Sequence, residues 1–213
     1  MELNKFKELI LQMAGHADMS VKKAVSSLVN RREDLASQVE ESDSTIDTLE
    51  IEIDILAHEL LANAPSANEL RFITSGMKIS MDLERVGDEA TTISRRSRKL
   101  LDDAPMFPAT ELKAMASMVL DMLREATESF VFQDTERARK MIAVDKKVDA
   151  ANKRIQHHLQ ELIRSDPTKV EPAIHLIFVS RSLERIGDHA KNIGESVVFL
   201  RDAVDIRHSA NSN

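Results

Sequence analysis

A six-residue string occurs twice in the chain. Leu83-Glu84-Arg85-Val86-Gly87-Asp88 returns as Leu183-Glu184-Arg185-Ile186-Gly187-Asp188, displaced by 100 residues. Upstream, Asp43, Ile46 and Asp47 are matched by Asp145, Val148 and Asp149 at an offset of 102. The two-residue difference therefore falls in the loop that holds Pro65 or Pro167. Repetition in this register constrains the fold to two copies of one plan.

What each copy is made of follows from the spacing of apolar residues and breakers. The prolines fall at three places only, Pro65, Pro105 with Pro108, and Pro167 with Pro172, and proline interrupts a helix interior. Between Leu35 and Leu61, Leu35, Val39, Ile46, Leu49, Ile53, Leu56 and Leu60 recur at helical steps, with no strand-like alternation. The chain has 5 glycines and 5 prolines in 213 residues, less than half the share of about 12% in typical globular chains, so a sandwich or barrel with many tight turns is disfavoured. The expected fold is all-α, two tandem three-helix bundles related by a pseudo-twofold. The helices are expected over 2–30, 33–62 and 67–102, then 109–132, 134–164 and 169–205. Asp34 is the candidate cap after a break at Asn30–Asp34. The repeats are expected over 1–104 and 105–207, with a boundary near Pro105 and a frayed polar tail at 208–213.

Composition removes whole classes of function. With 42% hydrophobic residues the chain can bury a core. Cys is absent, which excludes disulfides, thiolate metal sites, iron–sulfur clusters and a cysteine nucleophile. A net charge of -7 and 3% aromatic content, with no Trp or Tyr, oppose phosphate-backbone binding and base stacking. No secretory leader or long uncharged apolar run is present, so a soluble intracellular protein without direct membrane insertion is expected. No Glu-x-x-His occurs, as a ferritin-like di-iron bundle would need, and no P-loop or dinucleotide fingerprint is found. An enzyme is not expected. Met115, Met118 and Met122 are read as core, His189 as a helix-packing residue, and His157 and His158 as having no nucleophile to serve.

The chemistry-bearing feature is acidic. Asp43, Asp47, Glu50 and Asp54 follow one another at steps of four, three and four, one stripe of a helix. In the second copy Asp145 and Asp149 keep the first two places, while Asn152 and Gln156 substitute neutral oxygens. The third helices add Glu84 with Asp88 and Glu184 with Asp188. Carboxylates one turn apart repel by a few tenths of a kcal/mol, so a compensating cation is called for. Oxygen donors from two helices suit a hard metal ion rather than tetrahedral zinc. The alternative is a solvated face of alternating ion pairs, since Arg181, Glu184, Arg185 and Asp188 also space correctly for that. Gly87 and Gly187, inside helices, point either to close packing or to ligand access beside Asp88 and Asp188.

Asp82-Leu83-Glu84-Arg85-Val86-Gly87-Asp88 and Leu183 through Asp188, continued by His189-Ala190-Lys191-Asn192-Ile193-Gly194-Glu195, resemble the signature of the PhoU family of phosphate-uptake regulators. Asp43-Ser44-Thr45-Ile46-Asp47 with Glu50, and Asp145-Lys146-Lys147-Val148-Asp149, resemble that family's acidic motifs on the middle helices. The resemblance covers essentially the whole chain. It implies multinuclear metal clusters, of iron, manganese, zinc or magnesium, held by Asp43, Asp47, Glu84 and Asp88 and by Asp145, Asp149, Glu184 and Asp188, with Glu50 and Glu195 in support. It also implies a cytoplasmic, homodimeric negative regulator of phosphate uptake and phosphate-starvation signalling. Such a protein would contact the ATPase subunit of the phosphate ABC transporter and the sensor histidine kinase, and no nucleic acid. After Asp88 the first copy reads Glu89-Ala90-Thr91-Thr92-Ile93-Ser94-Arg95, placing Arg95 where the second has Glu195, so two unequal sites are expected with the second more complete. The competing reading is a metal-free helical scaffold or accessory subunit of another phosphate carrier.

Overall fold

The computed structural model describes residues 2–63, 66–101 and 109–207, and among these every regular element is helical. In the first half α1 is Glu2–Asn30, α2 Glu33–Ala62 and α3 Ala67–Lys99. In the second α4 is Ala109–Phe132, α5 Thr135–Ile142, α6 Asp145–Ser165 and α7 Val170–Asp202, with a single 3-10 turn at Pro167–Lys169 before α7. The boundary near Pro105 and the tail at 208–213 lie outside the described residues.

The first and second helices of each half are separated by the same device. Arg31 and Gln133 take left-handed backbone, φ 55° and 50°, and the next amide, of Arg32 or Asp134, donates to the carbonyl of Ser27 or Ser129 at 3.0 and 2.9 Å. That closes the preceding helix in a Schellman-type turn. Asp34 is not the cap expected for α2: the N-cap is Arg32 with no side-chain bond, and Asp34 instead accepts from Arg32 Nε at 2.7 Å. Ser66 does cap α3, in a reciprocal capping box with Glu69. Pro172 is tolerated in the first turn of α7, where its missing N–H would have had no partner.

One expected helix is two. The 134–164 stretch breaks at Ala143–Val144, where Val144 and Lys147 donate to Met141 and Val144 carbonyls at 2.9 and 2.8 Å, three residues back instead of four. Gly194 of α7 packs beside the break: a Cβ there would lie 3.3 Å from Ile142 Cγ1 and closer still to the Met141 methyl. The last helix stops at Asp202, short of the expected 205, because Ala203 turns left-handed at φ 55°.

Helices α1, α2 and α3 pack on one another, α7 packs on α4, α5 and α6, and α3 lies along α7. One contiguous apolar core runs through both halves, from Phe6, Ile10 and Met13 through Ile79, Leu83 and Val86 to Ile186, Ile193 and Val197. Met115 and Met122 are buried in it and Met118 packs against it. An aromatic trio ties the halves at one end: Phe6 meets Phe72 edge-on at 6.1 Å, and Phe72 stacks on Phe130 at 5.6 Å.

Candidate functional site

The repeated carboxylates sit where the middle and last helices of each half face one another. In the first half, Ile46, Leu49 and Ile53 of α2 and Leu83 and Val86 of α3 are buried, which leaves Asp43, Asp47, Glu50, Glu84 and Asp88 along the outer edge of the same contact. Gly87 sets the distance between the helices: a Cβ there would lie 2.8 Å from Ile46 Cδ1, and Asp43 Oδ1 is 3.8 Å from the same point. Close packing therefore accounts for this glycine. Around Gly187 the approach is ordinary, with Val148 Cγ1 at 3.4 Å.

Electrostatics bind the acids of each half into one array. Asp43 holds its proton above the usual carboxylate range because burial disfavours its charge and Asp47 and Asp88 lie near, against the bond from Thr91. Glu50 is raised by burial and by Asp54, Asp47 and Asp88, and Glu84 by burial and by Asp88, Glu50 and Asp47. Arg85 opposes both and touches Glu84 and Asp88 at 3.2 and 3.1 Å. In the second half Glu184 is raised by burial, Asp188 and Asp149, and Asp188 by burial, Asp145 and Asp149. Glu195 is raised by burial, and it faces Lys191, Arg207, Asp205 and Asp145 rather than Glu184. Six carboxyls in two arrays thus have raised proton affinity, through burial first and, for all but Glu195, through neighbouring carboxylates next, and a bound cation would act in the opposite direction.

The two arrays differ most directly in what faces their first aspartate. Asp43 Oδ1 accepts from Thr91 Oγ1 at 3.1 Å. Its counterpart Asp145 is 6% exposed and takes the Lys191 ammonium at 2.8 Å, a bond that holds Lys191 charged beyond its ordinary range. The second array, expected to be the more complete, therefore carries an ammonium on its first aspartate, where the first array carries a guanidinium on Glu84 and Asp88. Asn152 is not an open donor either: its Oδ1 accepts from Ser180 and Gln156, both at 2.9 Å. Arg95 stands beside the first array as expected: it pairs with Glu40 at 3.9 Å, and its charge also acts on Asp43, opposing the rise in that carboxyl's pKa.

The donor set suits a hard cation, since all ten candidate ligands are carboxylates and each array spans two helices. Among the described residues no three Asp, Glu or His side chains converge closely enough to hold an ion. Closing a ligand shell takes rotation of exposed side chains such as Asp47 and Asp88. In chemistry and charge the residues fit such an ion, against competing positive charge from Arg85 in the first array and Lys191 in the second.

Sequence reading missed the links across the halves. His189 Nδ1 pairs with Asp82 Oδ1 at 2.9 Å, Asn192 donates to the same oxygen at 3.1 Å, and Arg185 donates to Glu89 at 3.0 Å. These join α3 to α7, and only the crossing of the two helices brings them together. His189 faces Asp82 across this seam, in the packing role expected of it.

A duplicated all-helical protein carrying paired carboxylate arrays is the class this geometry defines. The PhoU domain model matches the chain twice, over residues 10–97 and 112–197. The phosphate-specific transport system accessory protein PhoU homolog of Pseudomonas putida is 36% identical over 209 residues, 97% of this chain and 82% of that protein. The crystal structure of PhoU from Pseudomonas aeruginosa aligns with a TM-score of 0.93 at 35% identity, over 95% of this chain and 98% of that one. The phosphate transport system regulatory protein PhoU from Streptococcus pneumoniae, at 22% identity, shares the fold with a TM-score of 0.91 over 96% of this chain and 97% of its own. The chain belongs to the PhoU family.

Proposed function

We propose that this protein is a metal-binding accessory protein of a phosphate-specific transport system, acting in the cytoplasm as a negative regulator of uptake and of phosphate-starvation signalling. Family membership and the names of its relatives support the transport role. Among the described residues no helix is long and apolar enough to cross a membrane, which accords with action by contact. The partners proposed from the resemblance are the transporter's ATPase subunit, the sensor histidine kinase and a second copy of the chain. The role proposed is adaptor, without catalysis.

The observation that carries metal binding is the duplication of the carboxylate arrays, with their raised proton affinities. Asp43, Asp47, Glu50, Glu84 and Asp88 would hold one cluster, and Asp145, Asp149, Glu184, Asp188 and Glu195 the other. A bound cation supplies charge neutralisation. Asp43 bonds Thr91 and Asp145 bonds Lys191 across their helix pairs, and Arg85 and Lys191 supply partial neutralisation in the metal-free protein.

The Lys191–Asp145 pair favours a second reading, a metal-free scaffold whose acids meet a basic partner or water. Elemental analysis of protein purified without chelator or metal-affinity tag decides between them. Stoichiometric iron, manganese, zinc or magnesium that falls in the Glu184→Ala, Asp188→Ala and Glu84→Ala, Asp88→Ala variants is the expected result. Metal-free protein after incubation with divalent ions, together with salt-sensitive binding of the partner, would establish the scaffold.

A further inference from the structure

Away from both carboxylate arrays, the ends of four helices border an open cleft of about 380 Å3 whose lining includes Lys7, Arg71, Phe72, Gln133 and Arg201. Its polar wall is cationic in an acidic protein. Lys7, Arg71 and Arg201 all face it, and among the described residues none of the three has a carboxylate within ion-pair distance, although most arginines of the chain do. The one acid of the lining is already engaged: Glu69 Oε2 accepts from Ser66 N at 2.8 Å and Ser66 Oγ at 2.7 Å, and these bonds hold its pKa low.

Arg71 is under-satisfied. It bonds the neutral Asn68 side-chain oxygen, and its Nε is buried with no acceptor among the described residues. Buried donors without acceptors are uncommon and costly. Lys7 donates to the Val131 carbonyl at 2.8 Å, which holds its ammonium at the cleft without neutralising it. Asn4, Asn68 and Gln133 add amide donors. Guanidinium forks and an ammonium around one concavity are the recognition chemistry of a phosphoryl group. The volume exceeds what a bare oxyanion fills, and Leu3, Phe72 and Leu200 give the remainder an apolar wall.

We infer that this cleft is a binding site for an organic phosphate, a phosphoryl group bearing an apolar or planar substituent, held by Arg71, Arg201 and Lys7 against Phe72. The site shares no residue with the proposed metal ligands and does not rest on them. Phosphate monoesters occur both as soluble molecules and as lipid headgroups, and the site recognises the chemistry common to both.

Calorimetric titration of the full chain, in a chelator-containing buffer, with phenyl phosphate, inorganic phosphate and vesicles containing phosphatidic acid tests this. Saturable binding of phenyl phosphate, tighter than that of inorganic phosphate and weakened by salt, is expected. Arg201→Gln, on an exposed side chain, and Arg71→Gln should each weaken it about tenfold, the loss of one charge-assisted contact, with helical content unchanged by circular dichroism. Binding to vesicles and not to phenyl phosphate would give the lipid as the source. Absence of saturable binding to all three probes, binding undiminished in both variants, or binding lost only when Glu184 and Asp188 are neutralised would overturn the proposal.

Discussion

Asp43 and Asp145 hold the same place in the two halves, and the residues opposite them, Thr91 and Lys191, also correspond. One carboxylate receives a hydroxyl bond at 3.1 Å, the other an ammonium at 2.8 Å. The consequence reaches the whole array. The half with the lysine can afford to bury its aspartate, whereas the half with the threonine keeps Asp47 and Asp88 exposed and relies on Arg85. Duplication preserved the acidic framework and let the neutralising charge diverge.

The largest effect expected from this comparison is on stability. Lys191→Met leaves the Asp145 carboxylate buried and unpaired, and removing one partner of a buried pair costs about 3–5 kcal/mol. Because the Lys191 side chain is 34% exposed, a loss of about 2–3 kcal/mol is expected. Thr91→Val, losing one neutral donor, should cost about 1 kcal/mol. Equal losses in urea unfolding would erase the distinction between the halves.

A reciprocal exchange sharpens it. With the other array neutralised, Thr91→Lys should weaken Mn2+ binding to the first array by roughly tenfold, and Lys191→Thr should strengthen binding to the second by a similar factor, the scale of one nearby unit charge at the surface of a protein. Calorimetry on the four variants reads this directly, and unchanged affinities would mean that the lysine does not compete with metal.

Titration gives a third test. Asp43, Glu50, Glu84, Glu184, Asp188 and Glu195 have folded-state pKa values raised above their ordinary ones, so the folded chain binds more protons than the unfolded one just above the ordinary carboxylate range of about 4. Their contribution is fully present below the unfolded pKa and is lost as pH rises through the folded pKa. Through these groups the metal-free protein should gain stability as pH falls toward the ordinary carboxylate range, against an opposing loss from Asp34, Glu69, Asp166 and Asp205, whose pKa values are lowered. Glu50→Gln with Glu84→Gln, or Glu184→Gln with Asp188→Asn, should each remove part of that gain, and a pH profile unchanged in both variants would contradict it.

Smaller effects separate the helix contacts. Gly187→Ala should stabilise by up to about 1 kcal/mol through helix propensity, since its Cβ meets Val148 at an ordinary 3.4 Å. Gly87→Ala should gain nothing or lose, because Ile46 Cδ1 stands 2.8 Å away. Smallest, Gln133→Gly should gain roughly 0.5–1 kcal/mol by relieving left-handed backbone. Arg31→Gly should gain less, because the Arg31 side chain also donates to the Leu101 carbonyl. Thermal melts of the four variants give the order.

Much of the fold was legible because apolar spacing and the hexapeptide repeat are local signals. Helices α1, α2 and α4 begin and end where Asn30, Ala62 and Phe132 place them in the pattern. The break at Ala143–Val144 was invisible, since Met141 and Val148 both fit one continuous wheel, and the Gly194 that packs against Met141 and Ile142 belongs to a distant helix. The acidic residues were legible as a set. What neutralises them was not: Lys191 stands in the string that follows the second hexapeptide with nothing local to mark its partner, and its bond to Asp145 spans 46 positions. Asp82 likewise belonged to a recognisable string, but its partners His189 and Asn192 lie more than 100 positions away.

The seam between α3 and α7 has a consequence for the order of assembly. During synthesis the first three helices emerge together, yet the surface of α3 that lies on α7 finds its cover only when the last helix, 33 residues long, has left the ribosome. For that interval the nascent chain carries an unsealed flank. Its complement is α7, so a second chain whose own last helix has already emerged could cover that flank, and the seam that unites two halves in one molecule is also where two molecules could exchange them.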